Sequence, residues 1–160
     1  MENVITFHVP GTPRTQGNKR AVPLKGRNGN WIKAANGATK TVMMESGKYH
    51  ASWREDVRAA LLAAYPGDPL DGPVHVAIVF YFRRPENHYG TRKGEKYLKE
   101  RAPKWHASIG DIEKLVRSIH DAMSGIAFHD DKQVASLSTS KEWADKAGAT
   151  IMIRKLGDKE

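Results

Sequence analysis

Apolar positions along this chain follow two periods, and the changes between them mark out the elements. Val4 to Val9 (VITFHV) alternates and is β-branched, which predicts an opening strand that Pro10, Gly11 and Pro13 end. From there to Asn30 the sequence is rich in Gly, Pro, Arg and Lys and almost free of core residues, so a mobile loop is expected. Trp31-Ile32 and Thr39 to Met44 are expected as short strands around an Asn36-Gly37 turn. Ser46 is a candidate N-cap for a helix whose apolar positions Tyr49, Trp53, Val57, Ala60, Leu61 and Ala64 keep the helical period until Pro66-Gly67. Val74 to Phe82 (VHVAIVFYF) is the most hydrophobic stretch and predicts a central strand covered on both faces, stopped by Arg83-Arg84-Pro85.

A second mobile basic excursion follows, to Trp105. Next comes a helix starting near Asp111, with Ile112, Leu115, Val116, Ile119, Ala122 and Met123 on one side. Ser124-Gly125 stops it, and Ile126 to Phe128 would bring the chain back along the sheet. Gln133 to Leu137 alternates weakly, and Ala149 to Ile153 predicts a last strand before a solvated tail.

Composition narrows the class. The 160 residues suit one domain, spanning 1–160. Lys and Arg number 26 against 18 acids, a formal charge of +8 that favours a polyanion such as nucleic acid as partner. The longest apolar run is only strand-length, so no membrane span is expected. The first residues lack a signal-peptide pattern, and the cytoplasm is the expected location. Without cysteine there are no disulfides, thiolate metal sites or thiol nucleophiles. No P-loop, G-x-S-x-G elbow or dinucleotide fingerprint occurs, and His120 and His129 have no partners at zinc-ligand spacing.

Against that basic background, acid collects in one place. Asp111 and Glu113 stand at the mouth of the second helix, near the edge of its apolar face, and Asp130-Asp131 follow its end. Singly each has an ordinary explanation: Asp111 as N-cap, Glu113 to Arg117 as a favourable i,i+4 ion pair, Asp130-Asp131 as a turn. Carboxylates that converge repel one another unless a cation is bound, and Mg²⁺ needs only a couple of them plus water and substrate phosphate. Tyr89, Tyr97 and Trp105, interleaved with basic residues, could add stacking to charge.

At these residues the chain resembles the RusA-like Holliday junction resolvases, crossover junction endodeoxyribonucleases of phages and bacteria. The family's D-x-D-N-L-x-K, D-A-L-x-G and D-D-x-Q-V elements are met by Asp111-Ile112-Glu113-Lys114-Leu115-Val116-Arg117, by Asp121-Ala122-Met123-Ser124-Gly125, and by Asp130-Asp131-Lys132-Gln133-Val134. Phe7, Val9, Gly11 and Pro13, and a strand ending in Arg-Arg-Pro, add weaker support. Glu113 stands for an aspartate and reaches one carbon further; Lys114 stands for an asparagine; Arg117 stands for a lysine, keeping the charge but unable to exchange a proton.

The resemblance implies an α+β fold, a single small domain with a mixed β-sheet packed against two main helices. It implies a Mg²⁺-dependent (or Mn²⁺-dependent) nuclease that resolves four-way DNA as a homodimer in recombination and repair, from a bacterial, phage or prophage gene. Asp111, Glu113, Arg117 and Asp131 would be catalytic, and Asp111, Glu113, Asp130 and Asp131 the metal set. DNA contacts are expected from Arg14, Lys19, Arg20, Lys25 and Arg27 in the first loop, and from Arg83 and Arg84 in the second. Lys114, Lys132 and Lys141 would add contacts near the acids. Other readings are a non-catalytic DNA-binding protein, a nuclease acting on flaps and forks, or a structural basic protein.

Overall fold

The structure is a computed structural model that describes residues 4–15, 19–45 and 50–157. Its elements are β1 (Val4–Pro10), β2 (Lys19–Pro23), β3 (Thr41–Glu45), α1 (His50–Ala64), β4 (Val74–Arg83), β5 (Tyr89–Arg92), β6 (Glu95–Leu98), α2 (Ile112–Met123), β7 (Val134–Ala144) and β8 (Gly148–Lys155). The main sheet has the order β1-β8-β4-β7. β8 runs antiparallel to β1 and β4, and β7 runs parallel to β4, so the sheet is mixed and the fold is α+β. Parallel neighbours need a crossover, and the chain between β4 and β7 supplies it with α2.

Both helices pack on one face of this sheet. That face carries Phe7 and Val9 of β1, Val76, Ile78 and Phe80 of β4, and Ile151 and Ile153 of β8. Trp53, Val57 and Leu61 of α1, with Leu115, Ile119 and Met123 of α2, complete the core. Each of these large side chains, fully buried, contributes about 1.5–3 kcal/mol relative to exposure. The Ser46 start expected for α1 lies outside the described residues, as does Tyr49. From Trp53 onward the period holds, except that Ala64 is exposed.

Three expectations are corrected. β4 is not covered on both faces: buried and half-buried residues alternate along it, because the helices form a single layer. His75, Ala77, Val79 and Tyr81 lie on the open side, and the His75 ring meets the Ser136 hydroxyl at 2.9 Å. Ile126 to Phe128 does not run along the sheet. It is a tight return in which Gly125, at φ 79°, takes a backbone conformation that favours glycine, while Ala127 and Phe128 fill the core and the Leu70 amide donates to the Ala127 carbonyl. The two basic segments are not loops throughout. β2 pairs with β3, beyond which Lys25 bridges Trp31 and Lys33 bridges Thr39; β5 and β6 form a hairpin within the second segment.

Candidate active site

The geometry of the acidic stretch follows from how α2 meets the edge strand. β7 places Leu137, Thr139, Lys141 and Trp143 on the helix-bearing side of the sheet, in register with Val76, Ile78, Phe80 and Phe82 of β4. These are mostly polar or amphipathic residues where β4 has pure core, because α2 only partly covers the edge. A groove is left between the first turns of α2 and β7. Its upper part, about 710 Å³, is lined by residues 105–108 and 110–114 with Thr139, Ser140 and Lys141. Its lower part, about 340 Å³, is lined by Ile112, Glu113, Val116, Arg117, His120, Asp131, Leu137 and Thr139. Ile112, Glu113 and Thr139 belong to both parts and make the groove continuous.

Asp111 occupies the N-cap position of α2, yet its side chain makes no cap hydrogen bond. Its carboxylate faces solvent and forms an ion pair with Lys114 Nζ at 3.2 Å. Glu113 and Arg117, one turn apart, line the lower groove together and make no ion pair with each other. Asp131 reaches the same space from the turn after α2. The two adjacent aspartates differ in their backbone roles. Asp130 caps the 3-10 turn Asp131–Gln133: its side chain accepts from the Lys132 amide at 2.9 Å, while its own amide donates to Gln133 Oε1 at 3.0 Å. The Lys132 amide, and then the Lys132 charge, hold the Asp130 carboxyl below the usual aspartate range. Gln133 Nε2 also donates to the carbonyls of Leu70 and Gly72, both at 2.9 Å, so the Gln of the D-D-x-Q-V element fastens this turn to the loop before β4.

The groove therefore gathers Asp111, Glu113, Arg117 and Asp131, with Glu113 the link between its two ends. Asp130 commits one carboxylate oxygen to its cap. Among the described residues no three His, Asp or Glu side chains close into an all-protein metal cluster. Mg²⁺ does not require one, since it is commonly held by one or two carboxylates with water and substrate oxygens completing the shell. The oxygen-rich pair Glu113 and Asp131, with Asp111 along the groove, fits that requirement.

The basic residues expected to meet DNA have varied surroundings. Arg27 and Arg14 are exposed, and Arg83 stands 3.7 Å from Glu86. Lys25 lies over the Trp31 ring, 4.7 Å from its centroid. Lys132 lies 3.7 Å from Asp130. The side chains of Lys19 and Arg20 lie outside the described residues. Arg84 is half-buried and engaged by the protein itself: it donates to the Pro103 carbonyl at 2.8 Å and sits over Trp143. Lys141 likewise donates to the backbone carbonyls of Ser108 and Gly110.

Pattern reasoning missed two groove residues. Thr139 falls beyond the weak alternation that ended at Leu137, and His120 has no motif around it. Burial pulls the His120 pKa below its ordinary value, against the opposing charges of Asp131 and Asp121. Trp105, 71% exposed, stands at the upper end beside Asp111.

Comparison with known proteins accords with this arrangement. The chain is 25% identical over 152 residues to the uncharacterized protein YqaN of Bacillus subtilis (strain 168), an alignment covering 95% of this chain and 96% of that protein. Residues 10–154 match the family described as endodeoxyribonuclease RusA. With nearly its whole length inside that match, including both halves of the groove, the chain belongs to the RusA endodeoxyribonuclease family.

Proposed function

We propose that the protein is a Mg²⁺-dependent, structure-selective endodeoxyribonuclease that resolves four-way DNA junctions by paired nicks from a homodimer, in recombination and repair. The observation that carries this is the meeting of Asp131, from the turn after α2, with Glu113 and Arg117 in a groove that continues to Asp111. Glu113 and Asp131 would hold the ion, with Asp111 further along the groove completing its shell through water; when bound, the ion supplies a water of lowered pKa and neutralises charge on the leaving oxygen. Arg117 opposes the negative charge that builds on the phosphorus oxygens in the transition state. Asp130 keeps Asp131 in place through its cap rather than by ligation. A four-way junction has an approximate two-fold axis, so a two-fold dimer presents equivalent grooves to opposed strands. The exposed basic residues of the β2–β3 and β5–β6 segments grip the arms through phosphates, reading branch shape before sequence.

The experiment is to change Asp111 and Asp131 separately to Asn. Junction binding survives in both, and cleavage in Mg²⁺ is lost. Normal cutting by both variants would remove the site from its place in the reaction. A second reading, a DNA-binding protein that does not cleave, rests on Glu113 and Arg117 standing where the family pattern has aspartate and lysine. A gel assay of junction, flap and fork substrates with EDTA as control separates the two, and ranks the substrates.

A further inference from the structure

Single exposed apolar side chains are ordinary on a protein surface and carry no message by themselves. The loop leading into α2 departs from that pattern. Among the described residues the two most exposed large apolar side chains are Ile109, at 88%, and Trp105, at 71%, four positions apart on this one loop. The loop is held rather than slack. His106, between them in sequence, is buried and stacks on Phe82 with ring centroids 4.0 Å apart. The carbonyls of Ser108 and Gly110, on either side of Ile109, both accept from Lys141 Nζ. Gly110, at φ 96°, then turns the chain into α2.

This loop is a ridge between two hollows. On one side lies the upper groove, where Trp105 stands with Asp111 and Glu113. On the other is a hollow of about 470 Å³, which Ile109 lines together with Arg14, Arg83 and, among the described residues, no acid. His106, Ser108 and Gly110 border both. One side thus offers carboxylates for a metal-bound phosphate, and the other offers cations to a phosphate that is only held.

From this arrangement we infer that Ile109, with Trp105, is a wedge that enters DNA where the base stack is broken at a branch. One strand continues into the groove with Asp111 and Glu113. The strand that diverges from it passes into the basic hollow, with its phosphates toward Arg14 and Arg83. The bases at the parting lie against Ile109 and Trp105. Inserting an apolar side chain between base pairs costs stacking, which a continuous duplex must give up and a branch has already lost. The wedge therefore supplies a preference for branched over linear DNA. Phosphate contacts alone, which any duplex offers, do not give one. The inference deepens the nuclease reading and rests on it, by naming the side chain that senses the branch.

The test is binding by the full chain in EDTA, to a four-way junction and to a linear duplex of the same composition. Ile109 lies outside the core, so Ile109→Ser should melt as the parent does. Its affinity for the junction should fall by about tenfold or more, the worth of one buried aliphatic side chain, with affinity for the duplex unchanged. Ile109→Leu, which keeps the apolar bulk, should restore the preference. Permanganate attacks unstacked thymines, and should mark those at the branch more strongly under saturating parent than under saturating Ile109→Ser.

Equal losses on junction and duplex in Ile109→Ser would make it a general contact and overturn the inference. So would a parental junction preference in the Ile109→Ser, Trp105→Ala double variant, or an Ile109→Ser protein that melts well below the parent. Because binding in EDTA needs no catalysis, a parent that binds junctions but does not cut them in Mg²⁺ ends the nuclease reading alone.

Discussion

Lys141 on β7 donates to the carbonyl of Gly110 at 2.8 Å, and it also reaches the carbonyl of Ser108 at 3.3 Å. The ammonium thus ties the edge strand to the backbone just before Asp111 and fixes where α2 begins. Phosphate binding would compete for the same donors. Lys141→Met is therefore expected to lower cleavage by roughly ten- to a hundredfold through misplacement of Asp111. Its slope of log affinity against log salt should change by less than the roughly 0.9 that one lost phosphate contact produces. Arg27→Ala, at an exposed position, should show the opposite pattern. Salt-series binding and single-turnover cleavage on both variants check this.

The two neighbouring aspartates should separate by what each loses. Asp130→Ala removes the cap of the 3-10 turn and is expected to lower the melting temperature, with cleavage falling only in step with the folded fraction. Asp131→Asn should leave the melting temperature near parental and abolish cleavage. Asp130 also sets an acid limb: its folded carboxyl titrates below the usual 3.8, so its contribution is present above that value and is lost as pH falls through the lowered one. A melting-temperature profile on the acid side should be shallower in Asp130→Ala than in the parent.

His106 lies stacked on Phe82, ring centroids 4.0 Å apart, and against Trp143 at 4.4 Å. Burial, followed by the charge of Lys141, holds its ring below the ordinary 6.5. The unfolded chain therefore takes up this proton first. The stability that depends on a neutral His106 is complete above 6.5, declines as pH drops below it, and levels off once the folded ring also protonates. His106→Phe is expected to flatten the decline over that window. His120, shifted in the same direction, keeps part of the slope. Thermal melts across the window measure both.

Trp105 projects into solvent at the upper end of the groove, so its loss should cost little folding stability. Stacking of one base on an aromatic ring is worth about 1–3 kcal/mol, so Trp105→Ala is expected to weaken junction binding by roughly tenfold with an unchanged melting temperature. Restoration by Trp105→Tyr would tie the effect to stacking.

Most of what positions the groove could be read from residue order. The alternation of β1, the apolar β4 and the helical stripe from Leu115 to Met123 are each local signals, and the Ser124-Gly125 stop has its own backbone reason. The full length of β7 was hidden because its helix-side positions include Thr139 and Lys141. Polar residues suit an edge that α2 leaves partly open, but they erase the apolar alternation that marks a strand. The two-sided cover expected for β4 failed because Ala77, Val79 and Tyr81 are apolar without being enclosed. Pairing of β2 with β3 is a long-range choice that no short window contains. The separation of Asp130 from Asp131 depended on Gln133, whose amide bonds to Leu70 and Gly72 from a distant part of the chain.

The parallel pairing of β7 with β4 makes everything from Arg84 to Gln133 one long excursion between neighbouring strands. The hairpin of β5 and β6 leaves and rejoins that excursion before Asp111, so neither groove wall depends on its backbone. Lineages could lengthen, shorten or recharge this arm without disturbing the cutting chemistry, changing which DNA shape is held while the hydrolytic centre stays the same.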